Sequence, residues 1–323
     1  MFDFRSCCRS KSLVFACFVA CVSVLSVMSQ YHIRSPLLRS MYHRMLDDER
    51  HRADDHVYWY HIDSSRLPAD MCEKFIPLNQ DAETSEFLND CYEKADWVFT
   101  QIRDAVLKYM FSWFLTSTSI NGWLRRGSMF IFSREQLQLL LNVSAHWRAE
   151  NMLDLGAGDG MVTSKMAHYF NNVFVTEISS VMTTRLQEKG YMLLDVDSWS
   201  ESSHVFDLIG CLNLLDRCNQ PIAMLHSIKK SLRPGSGRLI VAVVLPFKPY
   251  VEVGSSDHKP VERIHLQGLT FEEQATSLVK HVFEPAGFTL ETFTKLPYLC
   301  EGDLFKSFFV LTDAVFVLSV TKT

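Results

Sequence analysis

Several stretches of this chain carry residue types that could act together in catalysis. The first is Met152-Leu153-Asp154-Leu155-Gly156-Ala157-Gly158-Asp159-Gly160. An apolar strand runs into a glycine-rich turn, and glycines there let the backbone approach a ligand where a Cβ would collide. The spacing is GxGxG, whereas dinucleotide folds use GxGxxG to seat a pyrophosphate on a helix N-terminus. The methionine part of S-adenosylmethionine has no phosphate, so the acidic Asp154 and Asp159 are tolerable beside it. Asp154 is placed to meet an ammonium group through water. The second stretch ends in Glu177, 21 residues after Gly156, close to the ~20-residue spacing of an acid that accepts from ribose hydroxyls. Taken together, Gly156, Gly158 and Glu177 favour S-adenosylmethionine binding over a merely structural turn.

Two further stretches complete the site. Leu194-Asp195-Val196-Asp197-Ser198-Trp199 ends a third strand; Asp197 there could accept from the adenine amine and Trp199 could wall the ring. Ile209-Gly210-Cys211-Leu212-Asn213-Leu214-Leu215-Asp216-Arg217 ends a fourth. Its carboxyl end lies beside the transferred methyl, so Asn213 and Asp216 are the catalytic candidates. The plainer role for Asp216 is an ion pair with Arg217 or a helix cap.

The elements that must hold these residues follow from the pattern. From Asn151 onward, strand and helix alternate, which implies a mostly parallel sheet covered on both faces. Strands are expected at 151–155, 172–177, 191–196, 205–211 and 238–246, and helices at 160–170, 179–189, 220–232 and 271–284. Pro221 suits the first turn of its helix, and Pro234-Gly235 ends it. Ser133 with Gln136 and Thr270 with Glu273 read as capping boxes. A final antiparallel hairpin, 288–295 and 313–320, completes a class I, seven-stranded Rossmann-like α/β methyltransferase sheet over 151–323.

Residues 84–150 read as a helical cap. Leu88, Cys91, Ala95, Val98, Ile102, Ala105, Tyr109 and Trp113 recur at helical spacing up to about Thr116. Trp97, Phe99, Met110, Phe111 and Phe114 widen the stripe, so burial on more than one side is expected. Ser119–Ser133 (SINGWLRRGSMFIFS) reads as a connection, because Gly122 and Gly127 bracket Arg125 and Arg126. Residues 35–83 read as a polar linker. Their His51, His56 and His61 lack the i, i+4 spacing that puts two metal ligands on one helix face.

Composition narrows the function. Apolar residues make up 47% and charged residues 21% of 323, as in an ordinary globular protein. The net charge of −5 argues against a nucleic-acid partner, which needs a strongly basic face. Nine cysteines without a CxxC pair point to buried small apolar residues, with neither a zinc site nor a disulfide framework. At the N-terminus, Arg5, Arg9 and Lys11 precede the uncharged run Ser12–Ser29. This is the pattern of a signal peptide or signal anchor over residues 1–34. It predicts delivery to the endoplasmic reticulum, secondarily to the mitochondrion, with membrane association through this segment.

Four motifs, Leu153–Gly160, Ser119–Ser133, Cys211–Cys218 (CLNLLDRC) and Leu296–Asp303 (LPYLCEGD), resemble the methyltransferase-like protein 9 (DREV) family. The resemblance runs from Arg34-Ser35-Pro36 to Asp313-Ala314-Val315-Phe316. It implies a protein-histidine methyltransferase that modifies the N1 (pros) nitrogen in His-x-His motifs of protein substrates. Carried over by motif, Glu177, Asn213 and Tyr298 bind the cofactor, and Asp216 with Asn213 orients the target imidazole. The chain departs from its relatives at Phe308-Phe309, where they carry tyrosines. Two rival readings keep the same fold: a methyltransferase for a membrane-associated small molecule or lipid, and a cofactor-binding scaffold without turnover. A nicotinamide oxidoreductase fits less well because the glycine spacing is wrong.

Overall fold

A computed structural model of the chain describes residues 35–111, 117–124, 126–251 and 257–321. The targeting segment expected at 1–34, and Arg125, lie outside the described residues. Two units, Met1–Glu49 and Arg50–Thr323, divide the chain. The described part of the first is the start of helix α1 (Pro36–Ala53), so the stretch expected as a polar linker opens with a helix. Further along that stretch, Trp59, Tyr60, Ile62, Leu67 and Met71 are buried in the second unit.

The second unit is built on one sheet. Its strands are β1 (Met129–Phe130), β2 (Ala149–Leu155), β3 (Phe170–Thr176), β4 (Met192–Leu193), β5 (Leu208–Leu212), β6 (Arg238–Val244), β7 (Phe288–Glu301) and β8 (Phe308–Val320). The spatial order is β1-β7-β8-β6-β5-β2-β3-β4. Strands β4, β3, β2, β5 and β6 run parallel, and β8 and β7 join antiparallel. This is the expected seven-stranded arrangement, with β1 added as an eighth strand beside Leu299 and Cys300. Chain order reverses between β2 and β5, so a crevice opens there outside the carboxyl ends of the strands.

Both faces of the sheet are covered, which is why the central strands read as unbroken apolar runs. Leu239, Val241 and Val243 of β6 point to one core, with Leu225 and Ile228 of α8 (Pro221–Ser231) and Ala275 and Leu278 of α9 (Phe271–Leu278). Ile240 and Ala242 point to the other, with Leu137, Leu140 and Leu141 of α5 (Arg134–Leu141) and Met166 of α6 (Met161–Ala167). Helix α7 (Ser180–Glu188) connects β3 to β4. The capping boxes at Ser133/Gln136 and Thr270/Glu273 and the leading Pro221 are all present.

The cap differs from its expected form in two ways. The helix expected from Thr84 breaks at Trp97 into α2 (Ala82–Asp96) and α3 (Val98–Phe111). The supposed connection from Ser119 begins inside α4 (Ser117–Leu124). Helix α2 buries Leu88, Cys91 and Ala95 as its periodicity requires. Helix α3 follows its expected apolar stripe only in part, since Val98 and Ile102 are half-buried but Ala105 is exposed. Gln101 and Asp104 face inward, whereas Phe99, Val106, Tyr109 and Met110 are exposed. The reason is a buried ion network. Arg126 Nε lies 2.7 Å from Glu301 Oε1 and 3.8 Å from Asp104 Oδ2, and Lys94 and Arg103 close the group from outside.

Candidate active site

Strand β2 delivers the glycine turn. Gly156, Gly158 and Gly160 all have positive φ, from 55° to 72°, a region that a Cβ makes costly. The turn is stitched to the end of β3. Gly156 N–H donates to Thr176 Oγ1 at 3.2 Å, Ala157 N–H to the Thr176 carbonyl at 3.0 Å, and Gly158 N–H to Glu177 Oε2 at 3.0 Å. Glu177 Oε1 accepts from Ser179 N–H at 2.8 Å. Both carboxylate oxygens are thus fixed at the strand end, each with lone-pair capacity left for a hydroxyl.

Asp154 lies beneath this turn. It is buried, and its Oδ2 accepts from the Thr163 hydroxyl of α6 at 2.6 Å. A Cβ on Gly210 of the neighbouring strand would come within 2.9 Å of Asp154 Oδ1, so a residue without a side chain makes room for this carboxylate. Burial pushes its pKa up to about 7, the Thr163 hydrogen bond opposes that rise, and the Glu177 charge adds to it. Its neighbour Asp159 accepts from Met161 N–H at 3.0 Å, where α6 begins, and from Ser128 Oγ at 3.1 Å.

The end of β5 forms the other wall. Asn213 has a left-handed φ of 52°, which asparagine tolerates better than most residues. Its Nδ2 donates to Asp313 Oδ2 on β8 at 2.8 Å. Asp216 is buried, with Oδ2 3.2 Å from Arg217 Nε. Burial raises its pKa, and the Arg217 charge works against that rise. The Oδ1 atoms of Asn213, Asp216 and Asp313 are all shielded from solvent and receive no donor among the described residues. Leu214 packs 3.1 Å from where a Cβ on Gly156 would sit, so the glycine turn and the Asn213–Asp216 turn share one crevice.

Tyr298 on β7 directs its hydroxyl at the Met129 sulfur. The Met129 methyl lies 3.5 Å from the Cβ position of Gly158, which puts Tyr298 behind the glycine turn. Burial holds its phenol well above the ordinary value. Of the remaining expected residues, Asp197 is exposed after β4, its own N–H bonded to Asp195 Oδ1. No described hydrogen bond joins Asp197 to the glycine turn or to Glu177. Trp199 is packed into the core beside Phe206. Phe308 is buried against Trp59 and Tyr92, whereas Phe309 is exposed, so of the two only Phe309 presents its ring to solvent.

Sequence reasoning passed over Asp313, Thr176, Thr163 and Met129. Asp313 left one signal, a carboxylate at the head of the apolar run Ala314–Leu318. Met129 left none, since its partner Tyr298 is 169 residues away, and Thr163 and Thr176 are ordinary helix and strand residues whose partners only the fold reveals.

A family model described as DREV methyltransferase matches residues 59–320. The chain belongs to the DREV methyltransferase family. It is an S-adenosylmethionine-dependent methyltransferase, and its crevice fits that group. The glycine turn carries no Cβ to obstruct a close approach, Glu177 offers paired acceptors, and the buried acceptors at Asn213 and Asp216 suit a ligand rich in donors and positive charge. Among solved structures, this DREV methyltransferase is similar to magnesium protoporphyrin IX methyltransferase (ChlM) from Synechocystis PCC 6803 with bound SAH, at 15% identity. That match covers 58% of this chain and 82% of the other, with a TM-score of 0.38. It is also similar to the DhpI–SAH complex at 13% identity, covering 70% and 98%, TM-score 0.38. With the CurJ carbon methyltransferase the identity is 18% and the TM-score 0.38; the match covers 58% of this chain and about half, 53%, of that one. Strand order and the family match, not these distant likenesses, define the fold.

Proposed function

We propose that this enzyme methylates the N1 (pros) nitrogen of histidine in His-x-His segments of protein substrates. The observation that carries the reading is the Asp216 carboxylate. One oxygen is engaged by Arg217 at 3.2 Å, and the other is buried with no donor among the described residues. Neutral imidazole has one N–H and one lone-pair nitrogen, and only the latter can attack a methyl group. Asp216 Oδ1 would accept the N–H, which selects the tautomer and stabilises the imidazolium that forms, as the acid of a catalytic triad does. Asn213 Oδ1, likewise buried without a described donor, would help orient the ring, and fixed orientation lowers the barrier further.

When bound, S-adenosylmethionine supplies an electrophilic methyl on a sulfonium. Glu177 would hold the ribose hydroxyls, the Gly156–Gly158 turn would admit the methionine part, and Tyr298 would close the site from behind. Asp154 would balance the ammonium charge at a distance, and Asp197 would accept from the adenine amine. The N-terminal segment would deliver the enzyme to the endoplasmic reticulum, where cell fractionation of the full chain against a chain lacking residues 1–34 tests it.

The decisive experiment uses the full chain, radiolabelled S-adenosylmethionine and two peptides, one with His-Ala-His repeats and one with each histidine replaced by alanine. Label in the first peptide alone is expected. Asp216→Asn should keep cofactor affinity by calorimetry and lower turnover by roughly two to four orders of magnitude. Cofactor binding without label in either peptide would discard the histidine substrate and favour a lipid acceptor or a scaffold.

A further inference from the structure

We propose that Asp313 is a positioning residue that decides which end of the Asn213 amide faces the catalytic crevice. The inference rests on the reading that the crevice beside Asn213 and Asp216 is the site of methyl transfer. Asp313 has no solvent exposure and lies within β8, between β6 and β7. Its backbone neighbours across the ladders are Val244 and Leu296. A carboxylate in such a place carries a large desolvation cost unless it is paired or fully hydrogen-bonded. Its one described side-chain hydrogen bond, from Asn213 Nδ2 at 2.8 Å, does not offset that cost. A purely structural role would be filled better by valine or leucine.

What the carboxylate does provide is direction. An ionised carboxylate only accepts, so it forces the Nδ2 end of the Asn213 amide toward β8 and turns Oδ1 into the crevice. There Oδ1 is buried and has no donor among the described residues, as is also true of Asp216 Oδ1 three residues on. The crevice wall then offers two acceptors and suits a ligand that donates or carries positive charge. A protonated Asp313 could donate to Asn213 Oδ1, and the amide would turn to present its N–H2. The wall would then offer one donor and one acceptor, and its complementarity to such a ligand would fall.

The groups that face Asp313 favour a change of state near neutral pH. Burial raises its pKa to about 8, the Asn213 hydrogen bond opposes the rise, and the Asp216 charge adds to it. Tyr298 and Cys300 on β7 also interact with it electrostatically. Both of their own groups are pushed up by burial, to about 11 for Cys300, so neither carries charge at neutral pH. Among these, Asp216 is the partner that can be ionised alongside Asp313.

The test is made first on the full-length protein without peptide. Side-chain amide resonances are followed by 15N NMR from pH 6 to 9.5, with the Asn213 signal assigned by its absence in Asn213→Asp. The Asn213 amide is expected to shift with a single midpoint near that of the Asp313 carboxyl 13C resonance, and to stop shifting in Asp313→Asn. An Asn213 signal that is flat across the range, or that titrates unchanged in Asp313→Asn, overturns the proposal whatever the substrate proves to be. The second readout is the pH profile of methyl transfer. In wild type kcat/KM should rise with pH through the Asp313 midpoint, and Asp313→Asn should lose that limb and fall about tenfold or more at pH 8.5. A retained limb overturns the proposal. Transfer to an acceptor other than histidine overturns only the substrate reading.

Discussion

The backbone N–H of Gly158 donates to Glu177 Oε2 at 3.0 Å, so the turn after β2 and the acid after β3 form one rigid unit. Glu177 holds the turn, and under the proposed function it also accepts from the cofactor. Glu177→Gln leaves one oxygen and replaces the other by a donor, which would oppose both the Gly158 N–H and a ribose hydroxyl. We expect S-adenosylmethionine affinity to fall by about 10- to 100-fold, from the ~1.5–3 kcal/mol of a hydrogen bond to a charged group. Titration calorimetry checks this. Unchanged affinity would remove Glu177 from the cofactor site.

The buried Asp154 predicts a pH dependence of stability. Its folded pKa of about 7 lies above the ordinary value of 3.8. Between those values the folded state binds the extra proton, so unfolding free energy falls as pH rises through this window and levels off above it. The loss is on the order of a few kcal/mol, since one pKa unit is ~1.4 kcal/mol. Asp154→Asn keeps an acceptor for Thr163 and cannot ionise. Urea midpoints at pH 5 and pH 8.5 should therefore differ less in the variant than in wild type. Equal differences in the two proteins would show that Asp154 stays ionised throughout.

The three glycines of the turn should not respond alike to alanine. A Cβ on Gly160 would lie 2.8 Å from Leu186 Cδ2 and 3.3 Å from Tyr191, whereas one on Gly158 meets only Met129, at 3.5 Å. Both positions carry the ~1–2 kcal/mol cost of a left-handed alanine. Gly160→Ala adds overpacking, typically another ~1–3 kcal/mol. We expect Gly160→Ala to lower the denaturation midpoint more and Gly158→Ala to lower cofactor affinity more. The reverse order in paired melting and calorimetry runs would contradict the geometry.

Arg126 is the centre of the network that draws Asp104 of α3 inward. Replacing it by methionine leaves Glu301, whose side chain is 1% exposed, and Asp104, 4% exposed, with only their peripheral partners Lys94 and Arg103. Removing one partner from a buried ionic group costs about 3–5 kcal/mol, with the lower end expected here because two cations remain. Chemical denaturation measures the cost directly. A change below ~1 kcal/mol would mean that water reaches these carboxylates.

The elements from β2 to α9 are legible in the chain, although the strand expected at 191–196 forms only over Met192–Leu193. Strands buried on both faces must be apolar throughout, and helices that cover them must carry an apolar stripe and a cap, so each element is written in consecutive residues such as Arg238–Val244 or Thr270–Glu273. The glycine turn and Glu177 were legible for the same reason, since their spacing is local to one βαβ unit. Contacts between distant segments were not legible. The expected hairpin strand ends at Lys295, and Pro297, which cannot donate within a ladder, lies just beyond it. Strand β7 continues to Glu301 because β1 covers it only at Leu299 and Cys300, which leaves Pro297 free on that side. Helix α3 turns Asp104 inward because Glu301, nearly 200 residues away, supplies a charged interior partner through Arg126. Asp313 reads as an oddity at the head of an apolar strand until β8 lies beside β6 and its carboxylate meets Asn213, 100 residues earlier. A buried polar group has meaning only with its partner, and the tertiary structure alone chooses that partner.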